Sequence, residues 1–364
     1  MIHVLWLAPT FNHYKARFLN YLANVKEIKL TVLSGTGREG MGDKEIDTSY
    51  HFNQIRLNIN KQNFGKSALV RKSLKGCFKN YDWVLIPTEK KNLLLFIYAL
   101  YLRIRHRETK LFTYTHPISK SGKRKTTFLD WFITKFYYKQ LNRVIFYTEQ
   151  SCQWAIEKKL IDSKKAYWAN NTIDTLEVKK YYSFELPLLK TPAILFIGRL
   201  IPSKRLHDLI RYYKVLKTHL PNLKLDIIGD GPELSTLISA IKEDKNITHH
   251  GAVVDEVEIS KIMKTCSIVF VPGLSGLSIN HAFTYSRPYI TLEADKHGPE
   301  INYLEHGKNG YILSGTFHEN TTKLLELLTS KALLTTFCQN AKVKGEELSI
   351  EHWVQQITFS LLHE

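Results

Sequence analysis

Arg199 and Lys204 are two cations five residues apart, placed between an apolar run ending at Gly198 and a helical pattern beginning at Leu206. Phe196 and Ile197 read as the end of a β-strand, and Gly198 permits a tight exit from it. Two cations on such a loop, beside a helix N-terminus, suit a diphosphate. Arginine grips phosphate as a fork and lysine adds a point charge. Taken alone, the pair reads equally as a solvated basic loop.

More strand exits of the same kind follow. Leu225–Ile228 leads through Gly229, Asp230, Gly231 and Pro232 to another helical pattern. Gly229 and Gly231 allow a backbone to approach a ligand closely, or simply make a plain turn. The run to His250 ends at Gly251, and backbone groups from Gly251 to Val253 could pair with a base. His249 and His250 read as strand-end residues, because no third metal ligand lies nearby in sequence.

The most informative stretch runs from Val269 to Phe283. A strand enters a loop holding Gly273 and Gly276, and a helix follows from about Leu277. Backbone amides of Leu277 and Ser278 at that helix start would face a phosphate. His281, one turn into the helix, could donate to a ribose or phosphate. Arg287–Thr291 reads as a further strand, followed by Gly298-Pro299-Glu300 and the turn Gly307–Gly310.

These sites need a scaffold that repeats strand, loop and helix. Strand patterns fall at Val4–Ala8, Leu30–Leu33, Trp83–Pro87, Leu111–Tyr114 and Val144–Thr148. They recur at Ile194–Ile197, Leu225–Ile228, Ile247–His250, Ile268–Val271, Tyr289–Thr291 and Tyr311–Leu313. Helical patterns lie between them, at Lys15–Asn24, Asp130–Leu141, Leu206–Leu220, Glu233–Asp244 and Glu256–Thr265. The alternation is that of an α/β chain with two doubly wound, Rossmann-like domains, each a parallel sheet with helices on both faces. The Pro-containing stretch Ser183–Pro192 marks the boundary, giving domains 1–185 and 186–349. Helix 350–364 lies beyond the second sheet and is expected to pack back on the first domain. Ligands of such sheets bind beyond the carboxyl ends of the strands, so two of them facing each other would make a cleft. His116, just after Leu111–Tyr114, falls at such a strand end. At the first strand end, His13, Lys15 and Arg17 could meet an acceptor phosphate or simply open a helix.

A length of 364 residues suits two domains, and 23% charged with 44% hydrophobic residues suits a globular chain. The four cysteines, Cys77, Cys152, Cys266 and Cys338, form no Cys-x-x-Cys pair, which points to a reducing compartment. Met1–Phe11 reads as a first strand rather than a secretory leader. Leu93–Leu102 is too short to span a bilayer and reads as a core helix.

Residues 1–185 hold 32 Lys+Arg and 15 Asp+Glu, while residues 186–364 hold 19 of each. The whole net charge of +17 therefore sits in the first half. A field of that sign attracts anionic lipid, nucleic acid or phosphorylated substrates. No nucleic-acid motif accompanies it. Lys120, Lys123, Arg124 and Lys125 form a basic loop. The following Phe128–Lys139 mixes aromatics with lysines, as an interfacial helix would. Packing on the first sheet is expected to take up most of its apolar residues, and an anionic membrane surface to explain the charge.

The ordered series GRL…SKRL, IIGDGPE, HHGAV, VPGLSGLS…HAF, RPYIT, GPEI and GKNGYIL resembles the C-terminal domain of the family-four retaining GT-B glycosyltransferases. The likeness is close over residues 193–315 and weaker at Thr113–Pro117 and Asn170–Asp174. It implies a donor site in the C-terminal half for a nucleoside diphosphate sugar. Arg199 and Lys204 would neutralise the diphosphate, Leu277 and Ser278 would receive phosphate, and Gly251–Val253 would contact the base. His116 resembles the histidine placed near the anomeric carbon. The family usually carries two glutamates separated by seven residues. Gly273 and His281 occupy those positions here; His281 could keep the ribose contact, and Glu300 is a candidate for a nearby carboxylate. The resemblance implies no cofactor or metal beyond the sugar nucleotide. With the charge, it implies a glycan or lipid-linked acceptor of bacterial surface-polysaccharide or lipopolysaccharide synthesis, at the cytoplasmic face of the inner membrane. The missing glutamates also leave room for a catalytically weak module that binds a nucleotide sugar or glycolipid.

Overall fold

The structure is a computed structural model that describes residues 1–36, 49–116, 128–294 and 296–363, without the His13 side chain. These residues divide into two compact units. The first runs to Asn171 and resumes at Ile350; the second spans Thr172–Ser349.

The first unit is built on β1 (Ile2–Ala8), β2 (Ile28–Ser34), β3 (Asn53–Arg56), β4 (Trp83–Leu85), β5 (Lys110–Thr115), β6 (Arg143–Phe146) and β7 (Ala166–Trp168). They form one sheet in the order β3-β2-β1-β4-β5-β6-β7, all pairs parallel. The second unit holds β8 (Ala193–Ile197), β9 (Lys224–Ile228), β10 (Ile247–His249), β11 (Ile268–Phe270), β12 (Tyr289–Leu292) and β13 (Gly310–Leu313). Their order is β10-β9-β8-β11-β12-β13, again wholly parallel. Helices cover both faces of such sheets, so central strands are near-continuous apolar runs. Val4 to Ala8 and Ala193 to Phe196 are accordingly buried along their length. β3 and β7 escape the sequence reading because they are short edge strands without such a run.

The chain leaves the first unit ahead of Ser183–Pro192, so the boundary expected there lies inside the second unit. One reason is Arg287, fully buried, whose guanidinium donates to the carbonyls of Glu185, Met263 and Lys264. That arginine ties the connecting stretch to the end of helix Glu256–Thr265, where unsatisfied carbonyls favour a cation.

The last helix, Ile350–Leu362, belongs to the first unit. Trp353 is buried against Phe18 at 4.7 Å between ring centres, and its Nε1 donates to the Tyr114 hydroxyl at 3.1 Å. The amide of Asn170 donates to Gln356 Oε1 at 2.9 Å.

Two helices of the first unit depart from the sequence reading. Helix Leu93–Arg105 buries Leu95, Phe96, Ala99 and Leu102 but exposes Leu94, Ile97, Tyr101 and Ile104, so it is only half a core helix. In helix Phe128–Gln140 the core takes Thr134, Tyr137 and Tyr138, with Trp131 and Ile133 packed against it, leaving Phe128, Leu129, Phe132 and Phe136 exposed. Packing thus takes up half of its apolar residues rather than most of them. The basic loop at Lys120, Lys123, Arg124 and Lys125 lies outside the described residues.

Candidate functional site

In the second unit the strand order reverses between β8 and β11, the position where open parallel sheets bind ligands beyond their carboxyl edges. The β8 exit runs from Gly198 into a short turn of 3-10 helix, Pro202–Lys204, and the β11 exit runs from Val271 to the helix Ser278–Thr284. The two loops are fused. The Leu274 amide donates to Ser203 O at 2.7 Å, and Lys204 Nζ donates to Leu274 O at 2.5 Å. Arg205 holds a left-handed conformation at φ 57° and pairs with Asp208 at 2.6 Å, which starts helix Leu206–His219.

Gly273 shows why a side chain is missing at this junction. A Cβ there would lie 2.1 Å from Ser203 O and 2.8 Å from Lys204 C. A residue with a side chain would push the β8 and β11 exits apart, so this chain's loop arrangement leaves no room for a carboxylate at this position.

A carboxylate comes instead from the next loop. Glu300 is buried in the turn Pro299–Tyr303, and its Oε2 would lie 3.9 Å from a Cβ on Gly276 and 2.4 Å from one on Gly298. Lys204 senses both neighbours. Burial, and then the adjacent Arg199 charge, bring its ammonium down to about 8, while the Glu300 charge acts the other way. Arg199 itself is half-buried at the strand end.

His297 joins this group and was not found from sequence; its place three residues ahead of Glu300 was the one available signal. Its Nδ1 accepts from the Ser275 amide at 3.1 Å, which puts the proton of the neutral ring on Nε2. Burial, followed by the Lys204 charge, holds its pKa below the usual histidine value. Among the described residues Nε2 is buried without a hydrogen-bond partner. Ser275 is otherwise locked, its carbonyl accepting from Gly298 at 2.7 Å and its hydroxyl donating to Thr291 Oγ1 at 3.2 Å.

The helix Ser278–Thr284 opens at Leu277, which has no side-chain oxygen to cap it. Ser278 is turned inward, 2.8 Å from the Tyr289 hydroxyl, so its backbone rather than its hydroxyl is the group available for recognition. His281 is buried one turn along.

The glycines differ in what they do. Gly229, at φ 152°, has Gly198 O 1.9 Å from the place of its missing Cβ, and Gly231 has Leu200 O at 2.4 Å. Their smallness lets the β9 exit close on the β8 exit, which accounts for them by packing rather than by ligand approach. Gly251, at φ 72°, has open space at its Cβ position, and its carbonyl accepts from Gly229 at 2.8 Å and Val253 at 3.2 Å. His249 Nε2 lies 2.9 Å from Gly229 O and His250 Nε2 2.7 Å from Asp226 Oδ1, so both are held as structural side chains. Among the described residues no cluster of three or more His, Cys, Asp and Glu could hold a metal ion.

In the first unit His116 is exposed directly after β5, with its ring 5.8 Å from that of Tyr147. Lys15 Nζ donates to Thr10 O and Oγ1 at 2.9 and 3.0 Å, so it braces the β1 exit. The sequence-derived residues of the second half thus gather at one sheet edge, while His116 stands on the edge of the other sheet.

Two parallel sheets with alternating helices define the α/β class of GT-B proteins. The chain is similar in shape to an Anabaena structure, HepE in complex with UDP, with a TM-score of 0.70 at 17% identity, covering 99% of each chain. Residues 179–344, all within the second unit, match the family model for glycosyl transferases group 1. Among characterised proteins the chain is 22% identical to a trehalose synthase of Thermococcus litoralis over 84% of this chain and 73% of that one. It is 24% identical to a poly(glycerol-phosphate) alpha-glucosyltransferase of Bacillus subtilis, over 61% of this chain and 32% of that one.

Proposed function

We propose that this chain is a retaining, metal-independent glycosyltransferase. It would move a sugar from a nucleoside diphosphate sugar to a hydroxyl of a membrane-associated glycan or lipid-linked acceptor in surface polysaccharide synthesis. The observation that carries this reading is the grouping of Arg199, Lys204 and Glu300 around the fused β8 and β11 exits. The group 1 match over the same unit, the UDP in HepE and the polymer-glycosylating relative support it.

In the proposed reaction the bond from the anomeric carbon to the diphosphate oxygen breaks, and its electron pair goes to the leaving diphosphate. The acceptor oxygen bonds to the anomeric carbon on the same face, and its proton passes to the leaving diphosphate oxygen. Arg199, Lys204 and the amides of Leu277 and Ser278 stabilise the charge that builds on the diphosphate. His281 contacts the ribose or a phosphate, Gly251 to Val253 the base, and Gly198, Gly229 and Gly276 shape the loops around them. Glu300 supplies the carboxylate beside the sugar that Gly273 cannot. His116 hydrogen-bonds the sugar or orients the acceptor hydroxyl. With two side-chain cations in place, no metal ion and no cofactor beyond the sugar nucleotide is required. The setting is the cytoplasmic face of an inner membrane.

The test is nucleotide release with a panel of sugar nucleotides and lipid-linked acceptors, read by mass spectrometry of the product. Turnover unaffected by chelator, with the anomeric configuration kept, is the expected result. No turnover with any donor, despite nucleotide binding, would instead identify a binding module.

A further inference from the structure

We propose that the paired outer faces of helices Leu93–Arg105 and Phe128–Gln140 form a docking surface for an anionic lipid bilayer. The proposal extends the membrane-acceptor reading above by assigning the surface that meets the lipid.

The two helices touch through their side chains. Lys90, just ahead of the first helix, pairs with Asp130 in the first turn of the second, and the Phe96 ring meets Tyr137 at 4.3 Å and Phe136 at 6.2 Å. At their ends Arg103 donates to Gln140 O at 2.5 Å. Both pack their inner residues into the same core of the first unit.

Their outer faces are apolar by spacing as well as by content. Leu94, Ile97, Tyr101 and Ile104 recur every three or four residues and so line one face of the first helix. Phe128, Leu129, Phe132 and Phe136 do the same on the second. Ile104 is 70% exposed, Phe128 79% and Phe132 58%. Soluble proteins seldom leave adjoining apolar stripes uncovered without a use for them.

Charge selects the occupant. Lys90 and Lys91, paired with Asp130 and Glu89, stand at the start of the first stripe, and Arg103, Arg105 and Arg107 at its end. Arg105 lies over the Tyr101 ring at 4.7 Å and Lys135 over the Trp131 ring at 4.5 Å, so cations and aromatics stand together at the rim of the apolar area. Aromatic and aliphatic groups at acyl depth, with arginine and lysine at headgroup level, fit a bilayer carrying negative lipid. The two helices are too short to span it, and no helix among the described residues is long and apolar enough to cross a membrane.

Vesicle flotation of the full chain tests this directly. Vesicles of phosphatidylglycerol should carry the protein up, vesicles of phosphatidylcholine far less, and 0.5 M salt, where the Debye length falls to about 4 Å, should weaken the binding. The double substitutions Ile97→Ser with Ile104→Ser, and Phe128→Ser with Phe132→Ser, should each lower partitioning by about tenfold or more. All four side chains are exposed, so the circular dichroism spectrum and Tm should stay as in the unsubstituted chain. Flotation of the substituted chains equal to the parent, or no flotation at all, would overturn the proposal. So would a concentration-dependent dimer that the same substitutions dissolve, because the face would then cover a second copy. Flotation needs no turnover, so this surface and the transferase reading can fail separately.

Discussion

Lys204 is the side chain on which the proposed donor site turns. It is buried at a loop junction, bonded to Leu274 O and brought to about 8 by burial and by Arg199. A bound diphosphate would supply the missing counter-charge and raise that value again. The free protein therefore loses this cation as pH rises through about 8. Donor affinity should fall between pH 7 and pH 9, and Lys204→Arg should flatten that alkaline limb because guanidinium stays charged; calorimetric titration with the nucleoside diphosphate measures it. In folding, the same depression means that the unfolded chain binds more protons above about pH 8, so this group's contribution to stability rises with pH there. Arg199→Ala or Lys204→Ala should each cost on the order of 3 kcal/mol at the transition state, near a hundredfold in kcat, with a smaller effect on the substrate complex. At Gly273 the structure predicts the opposite of what the resemblance invites. Gly273→Glu should not strengthen activity; it should lower Tm, because its Cβ falls 2.1 Å from Ser203 O. Glu300→Gln, by contrast, should leave Tm nearly unchanged relative to Gly273→Glu and reduce turnover.

At the scale of elements, the last helix is the decisive one for the first unit. Trp353 sits among Trp6, Phe18 and Tyr114, and its indole N–H has its partner in the Tyr114 hydroxyl. Trp353→Ala should cost about 3–5 kcal/mol in denaturant unfolding, the usual range for emptying a buried aromatic site. An unfolding midpoint equal to the parent's would show that the helix is dispensable to this unit. The second unit has its own keystone in Arg287, whose three partners here are all backbone carbonyls. The amphipathic patterns of Leu206–His219 and Glu256–Thr265 were readable because one face of each meets the sheet. The pattern of Leu93–Arg105 misled because a helix apolar all round looks like core whichever of its faces is covered.

For the whole molecule, the excess charge of the first half is a property of sequence alone, with 32 cations against 15 acids in residues 1–185. Association with anionic surfaces should therefore be salt-sensitive, whereas nucleotide binding in the second unit, with its balanced charge, should depend on salt mainly through Arg199 and Lys204.

Local chemistry set by nearest neighbours along the chain was legible without coordinates: alternating strands and helices, glycine at strand exits, and cations on the loop after β8. The apolar runs of buried parallel strands announce themselves because both faces are covered. Edge strands β3 and β7 do not, since their pairing depends on a neighbour far away in sequence. Only the tertiary structure decided that β8 and β11 are adjacent, which fuses two loops some seventy residues apart, bars a side chain at Gly273 and brings Glu300 and His297 to Lys204. It also decided which stripes of two apolar helices the core leaves bare. Adjacency of that kind is created by sheet order and packing, and neither is written in the spacing of residues along one strand or helix.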